Sequence, residues 1–219
     1  HFSFGAYHGG MDDLPDNETG WRGSREGWLQ AAYDALIYGG VDAVKIMPLA
    51  ARLRLSRTSF YWFFKDRAAL LDALRARWAE ATTAPLVAAT RDYADSQTEA
   101  MLNVIGCFLS GRFDARLEFA VRSWALQDAT MMAEVHSADA ARLAALGAML
   151  GRWGHDAQDA DVRARTVYLV QIGYISMQAN ETMATRLARI PNYVEIYTGQ
   201  RPAPNEIARL HARLGVAGG

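Results

Sequence analysis

Apolar residues recur at helical spacing along most of the chain, and no segment alternates between apolar and polar positions as a strand would. Two short periodic segments, 46–53 and 57–63, are separated by only three residues. Longer periodic segments follow, with breaks at glycine-rich and proline-containing stretches. The pattern predicts an all-α protein, in which an N-terminal three-helix helix-turn-helix domain precedes a larger C-terminal helical ligand-binding and dimerisation domain.

Side chains that can cap a helix place the boundaries more closely. Ser24, Ser56 and Asp66 each precede a periodic segment, and their oxygens can accept hydrogen bonds from the free amides of a helix start. We expect the remaining stretch 191–204, which lies between prolines, to be a break. The expected helices, in chain order, are 25–38, 46–53, 57–63, 67–83, 86–93, 96–110, 114–127, 129–153, 160–187 and 205–214.

The second short segment carries an unusual outer face. Its spacing predicts that Phe60 and Phe64, one turn apart, are the buried pair. The same spacing leaves five residues facing outward, namely Arg57, Thr58, Ser59, Tyr61 and Trp62. Hydroxyls, an arginine and two large aromatics suit a helix that lies in a DNA major groove, where Arg57 can bond a guanine edge and Thr58 a thymine methyl.

Basic and polar side chains around this segment fit contacts to a DNA backbone. Phosphate oxygens attract cations, hydroxyl and indole donors, and helix N-termini. Within 45–67 there are six Lys or Arg residues against Asp66 alone, although the whole chain has a net charge of −1. The complete set of candidate DNA-binding residues is Lys45, Ser56, Arg57, Thr58, Ser59, Tyr61, Trp62 and Lys65.

The stretch LAARLRLSRTSFYWFFKDRAALLDAL resembles the DNA-binding segment of tetracycline-repressor-like (TetR family) regulators. The resemblance extends over roughly residues 25–74, and this chain has Arg54 where the turn commonly carries glycine. The resemblance implies a homodimer whose last long helices pair into a four-helix bundle, here 160–187 and 205–214. It also implies a body that responds to a small-molecule effector.

Aromatic, methionine and isolated polar residues are frequent on the apolar helices of the second half. One interpretation is that some of them line a cavity for a mostly apolar small molecule. The alternative, which is the commoner one for any single residue, is that they belong to the core or to a subunit contact. The candidate ligand-binding residues are Met101, Phe108, Trp124, Met131, Tyr168, Gln171 and Tyr174.

Composition excludes several other classes of function. The 219 residues are 51% hydrophobic and 21% charged, which is ordinary for a globular protein, and no apolar run is long enough to cross a membrane. The single Cys107 fits a reducing cytoplasm. The sequence has no His and Cys spacing for zinc, no glycine-rich phosphate loop and no serine nucleophile elbow. We therefore expect no cofactor, no metal and no enzymatic activity.

These observations predict an organisation and a function. We expect an N-terminal arm at 1–23, a helix-turn-helix domain at 24–70 and an effector-binding and dimerisation domain at 71–219. Met11 is a candidate natural start, in which case residues 1–10 derive from cloning. The expected function is a cytoplasmic one-component transcription regulator, a repressor that binds a palindromic operator and is released by a small-molecule effector. Two alternatives stay open: a small-molecule sensor of the same fold without DNA binding, and a helical enzyme.

Overall fold

Helices joined by short connections make up the protein in the computed structural model, which describes residues 23–216. Within these residues the predicted all-α class is confirmed. The helices are α1 (Arg25–Gly39), α2 (Ile46–Leu53), α3 (Arg57–Phe60), α4 (Arg67–Trp78), α5 (Ala84–Ala89), α6 (Gln97–Leu109), α7 (Ala115–Ala125), α8 (Ala129–Arg152), α9 (Ala157–Ser176), α10 (Met183–Thr198) and α11 (Pro204–Arg213). The candidate start at Met11 and nearly all of the expected N-terminal arm lie outside the described residues.

The three caps that the sequence predicts at helix starts are confirmed. The side chains of Ser24, Ser56 and Asp66 each accept a hydrogen bond from the backbone amide three residues later, at 3.0, 3.2 and 2.9 Å. Each bond satisfies one of the amides that a helix start leaves without an intrahelical partner. These caps fix where α1, α3 and α4 begin, and so they fix the geometry of the N-terminal domain.

The prediction of one helix over 160–187 is wrong, because α9 ends at Ser176. Gln178 adopts a left-handed backbone conformation with φ of 49°, which no helix can continue through. The chain then starts α10 with Thr182 as its N-cap, whose hydroxyl accepts from the amide of Thr185 at 3.2 Å. The capping threonine was present in the sequence, but the apolar pattern on either side hid it.

The expected break over 191–204 is also wrong in its first half, because Pro191 lies inside α10. A proline in a helix interior costs about 3 kcal/mol. Four large side chains on one face of α10 are buried in the core of the body, and each contributes about 1.5–3 kcal/mol. Their burial outweighs the cost of the proline. These four side chains are Leu187, Ile190, Val194 and Tyr197.

Two hydrophobic cores hold the structure together. The first core joins α1–α4 to α7 and the start of α8, and the second joins α5, α6 and the later helices. In the first core the ring of Phe60 packs edge-on against Trp28, with centroids 5.3 Å apart, and stacks on Phe64 at 5.5 Å. The prediction of Phe60 and Phe64 as the buried pair is confirmed. Because α7 belongs to the first core, packing runs continuously across the expected domain boundary at residue 70.

A proline and an aspartate join the N-terminal helices to the body. The helical rod continues from α4 through a π-helical turn (Ala79–Thr83) into α5, where Pro85 has no amide hydrogen for the carbonyl of Ala81. That carbonyl accepts the backbone N–H of Asp114 at 2.9 Å instead. The Asp114 carboxylate caps α7 and also accepts the hydroxyl of Tyr33, on α1, at 2.8 Å. Burial and this hydrogen bond raise the pKa of Tyr33 to about 12, so its hydroxyl stays a donor.

A buried ion pair lies one turn further along α7. Arg142 and Glu118 are fully buried, and they form two hydrogen bonds of 2.7 and 3.0 Å. Glu118 also accepts the indole N–H of Trp78 at 2.7 Å, while Arg142 donates to Thr82 at 2.8 Å and Tyr168 at 2.9 Å. A buried ion pair needs such satisfied partners, and it fixes one arrangement more than it adds stability. The pair therefore sets how the rod, α7, α8 and α9 pack together.

Candidate DNA-binding surface and ligand cavity

The turn between α2 and α3 depends on the conformation of Arg54. Its φ and ψ of 57° and 38° are left-handed, a region that glycine enters most easily. Its amide and that of Leu55 bond back to carbonyls of α2, at 3.1 and 2.9 Å, which ends that helix. Arg54 therefore adopts the conformation for which glycine is the usual residue, and the turn keeps its shape.

Seven of the eight candidate DNA-binding residues are exposed on one end of the domain. Arg57 donates to the hydroxyl of Tyr61 at 3.1 Å, and its guanidinium lies 5.8 Å from the centre of that ring. Beneath them, Phe60 anchors the short helix in the core, so the exposed side chains stand on a packed base. The seven exposed residues are Lys45, Ser56, Arg57, Thr58, Tyr61, Trp62 and Lys65.

Ser59 is the exception, and the expectation that it faces outward is wrong. Its side chain is 0% exposed, and its hydroxyl donates to the carbonyl of Ser56 at 2.6 Å. A serine in the first turn of a helix can bond a nearby carbonyl in this way. The spacing of apolar residues in a helix of only four residues did not distinguish this inner position from the outer ones.

Arg67 has a structural role that the sequence did not reveal. It was one of the six cations of the basic segment, but its guanidinium donates to the carbonyls of Val44 and Val41, at 2.6 and 2.8 Å. These carbonyls belong to the turn that leads into α2. Arg67 therefore holds the start of α2 in place and offers few donors to a DNA phosphate.

A cavity of about 460 Å³ lies where α1 meets the body. That volume is within the range of sites for small organic molecules. Its wall combines aromatic, aliphatic, amide and guanidinium groups from α1, α6, α7, α9, α10 and the connection after α9. The lining residues are Ile37, Tyr38, Phe108, Ala115, Arg116, Phe119, Gln171, Tyr174, Ile175, Gln178, Ala179 and Arg186.

The seven candidate ligand-binding residues divide between this cavity and the cores. Phe108, Gln171 and Tyr174 line the cavity. The other four do not line it, since they are buried in the hydrophobic cores, and Tyr168 also donates to the carboxylate of Asp139. The alternative of core packing therefore fits Met101, Trp124, Met131 and Tyr168.

Three cavity residues were missed by sequence reasoning. Tyr38 lies at the end of α1, and Arg116 and Arg186 lie on α7 and α10. A hydrogen bond to Tyr38 raises the pKa of the Arg116 guanidinium. An arginine on a polar helix face is normally solvated, so sequence periodicity gave no signal for either arginine. The three residues come together only because α1 ends against α7.

Comparison with known proteins agrees with this geometry. The family described as bacterial regulatory proteins, tetR family, matches residues 29–74, which run from α1 to α4. Residues 29–74 form a tetR-family helix-turn-helix domain. No curated protein is significantly similar in sequence to the chain.

Two solved structures resemble the whole chain and not only its tetR-family domain. Salmonella enterica GusR is 12% identical with a TM-score of 0.58, and the alignment covers 87% of this chain and 95% of that one. A transcriptional regulator from Rhodococcus sp. Rha1 is 16% identical with a TM-score of 0.53, with coverage of 86% and 96%. At these identities the likeness shows a shared fold. The domain and the fold together support a DNA-binding transcriptional regulator.

Two searches of residues 23–216 concern other kinds of function. None of the helices in this part of the chain is long and apolar enough to cross a membrane. Among the same residues, no group of three or more His, Cys, Asp or Glu side chains is arranged to hold a metal ion. The cavity and the exposed end of the tetR-family domain are therefore the sites to be explained.

The conformation of Arg54 gives a direct test of the turn. Arg54→Gly should raise the free energy of unfolding by up to about 1 kcal/mol, because a left-handed residue other than glycine costs about 1–3 kcal/mol and glycine adds about 0.5–1 kcal/mol of entropic cost. Ala51→Gly, within α2, is the matched control and should lower it by about 1 kcal/mol. Urea unfolding measures both, and a loss of stability in both variants would contradict the left-handed turn.

Proposed function

We propose that the protein is a homodimeric transcription repressor that binds a palindromic operator and leaves it when a small organic molecule occupies the cavity. The observation that carries the proposal is that one rigid unit holds both sites. Exposed hydrophobic, basic and hydroxyl groups form the tip of the tetR-family domain, and the end of α1 in that same domain forms part of the cavity wall.

The exposed tip supports the DNA part of the proposal. Arg57 and Thr58 stand at the N-terminal end of α3, where a reading helix places its base contacts. Lys45, Tyr61 and Lys65 surround them and can reach phosphates on either side of a major groove. Tyr61 holds the Arg57 guanidinium outward, so little side-chain freedom is lost when that arginine meets a base.

The proposed dimer uses α8 and α9. These helices form an outer groove whose α8 side is lined by small residues, which allow a second helix to approach closely. Val162 and Leu169 are exposed on α9 and would be covered by a partner. By contrast, Ile207 and Leu210 of α11 pack within the same subunit, so the dimer proposed here does not depend on 205–214. The small residues on α8 are Ala140, Ala144, Gly147, Ala148 and Gly151.

The proposed release follows from how α7 is attached. Arg116 and Phe119 on α7 line the cavity, and Asp114 at the start of the same helix bonds both the rod and α1. A ligand that moves α7 therefore moves the carbonyl partner in the rod and the hydroxyl partner on α1. Ligand and operator would then favour different arrangements of the two tetR-family domains, and each would weaken the binding of the other.

Base contacts and phosphate contacts can be separated by two substitutions. With an operator selected from random duplexes, Arg57→Ala should cost about 1–3 kcal/mol and relax the preference at one base pair, because a bidentate base contact is lost. Lys65→Ala should weaken all duplexes alike and reduce the slope of affinity against salt by about one ion. Fluorescence anisotropy over a salt series measures both effects.

Arg201→Ala, an exposed arginine between α10 and α11, is the matched control and should leave both quantities unchanged. Equal losses on every duplex from Arg57→Ala would remove that residue from base recognition. Failure of the native protein to select any duplex would refute the proposal and favour a sensor of the same fold without DNA binding.

The dimer proposal makes a prediction for Gly147. A Cβ at this position meets no atom within 4 Å in the subunit, so Gly147→Glu should leave the monomer folded. The added charge would be buried if α8 packs against a second copy, and an unpaired buried charge is strongly unfavourable. Sedimentation velocity should show monomers for this variant and dimers for Ala76→Glu, an exposed control on α4. Dimers in both variants would contradict an interface through α8.

A further inference from the structure

We propose that the cavity selects a small organic anion, an aromatic carboxylate of one or two rings, whose carboxylate is bound by Arg116 and Arg186. This assignment rests on the proposed function and names the chemical class of its effector. The argument uses the charges of the lining, the orientation of the two guanidinium groups and one buried amide without a partner.

The lining carries positive charge without a compensating carboxylate. Arg116 and Arg186 both line the cavity, and none of the other lining residues is an Asp or Glu. Within residues 23–216, neither arginine takes part in an ion pair. Arg189, one turn from Arg186 on α10 but outside the lining, is paired with Glu181 at 2.5 Å. The cavity therefore has two cationic groups available for an anionic ligand.

Aromatic rings hold both guanidinium groups in place. The guanidinium carbon of Arg116 lies 5.2 Å from the ring centre of Tyr38, and that of Arg186 lies 4.6 Å from the ring centre of Tyr174. Such contacts are favourable by themselves and restrict the side chains. A guanidinium whose face is covered still presents its N–H donors at the edge, in the fork that matches a carboxylate.

Gln171 gives independent support for a bound ligand. Its side chain is only 6% exposed and lines the cavity, yet its amide makes no hydrogen bond within residues 23–216. A buried amide without a partner costs about 1–3 kcal/mol. A ligand with a polar group at this point would satisfy it, which is how a mostly apolar pocket fixes the orientation of its ligand.

The rest of the wall fits an aromatic body. Phe108, Phe119 and Ile175 supply apolar surface between the two arginines and the buried amide. The volume of about 460 Å³ accommodates one or two rings with short substituents. A free inorganic anion would leave this apolar surface uncovered, so an amphipathic organic anion fits the lining better than phosphate or sulfate.

The contact between Arg116 and Tyr38 also explains why an anion would act on DNA binding. Tyr38 belongs to α1 of the tetR-family domain, whereas Arg116 belongs to α7 of the body. A carboxylate on Arg116 would compete with the tyrosine hydroxyl for the same donors. Binding of the anion would thus change a contact that joins the two parts of the protein.

Matched probes test the chemical class directly. Calorimetric titrations of the full-length protein would compare benzoate, naphthalene-2-carboxylate and naphthalene-2-acetate with their primary amides and the corresponding primary amines. We expect at least one carboxylate to bind about tenfold more tightly than its amide, since hydrogen bonds to charged groups are the stronger ones, and no amine to bind. Equal affinity for acid and amide, preference for an amine, or no binding by any carboxylate would overturn the assignment.

Substitutions identify the residues that read the charge. Arg116→Gln and Arg186→Gln should each weaken the carboxylate about tenfold and leave the affinity for the amide unchanged. Arg201→Gln, outside the cavity, is the matched control and should change neither. Equal losses for acid and amide would mean that the arginines act by packing and would overturn the assignment.

Operator binding by the same preparations separates this inference from the proposed function. If the protein selects an operator but no carboxylate binds, the chemical class is wrong and the function stands. If it selects no operator although the carboxylate binds through both arginines, the proposed function fails and the chemical class of the ligand stands.

Discussion

The structure depends on one hydrogen bond that a proline makes available. Pro85 cannot donate to the carbonyl of Ala81, and the backbone of Asp114 takes that place at 2.9 Å. Asp114 is also the cap of α7 and the acceptor for Tyr33 on α1. A single residue therefore attaches the helix that walls the cavity to two helices of the tetR-family domain. Because each partner is satisfied only in this arrangement, the domain and the body are held in a defined relation.

The buried pair of Glu118 and Arg142 extends this attachment by one turn of α7. It ties the rod to α8 and α9, the helices of the proposed dimer, through hydrogen bonds that exclude water. Removing one partner from such a pair costs about 3–5 kcal/mol, so the network favours one packing over others. Changes at the cavity, at the reading tip and at the subunit contact are thus transmitted through α7 by bonds and packed side chains.

The sequence predicted the parts of this structure that depend on local chemistry. Ser24, Ser56 and Asp66 showed where helices begin, and the aromatic pair Phe60 and Phe64 showed which face of α3 is buried. Properties that arise from packing between distant segments were not visible. Helix α10 passes through a proline because of what it buries, and the cavity takes its character from arginines on different helices. Spacing along one helix contains no information about either.

The central claim is that α7 connects the cavity to the tetR-family domain through Asp114. The most direct measurement is operator affinity with and without a saturating cavity ligand, in the native protein and in Tyr33→Phe. The variant keeps the ring and loses only the hydroxyl that bonds Asp114. The account predicts that ligand lowers the native affinity by about 5- to 150-fold, the usual range of allosteric coupling, and lowers that of the variant by a smaller factor. The same factor in both proteins, or none in the native one, would contradict it.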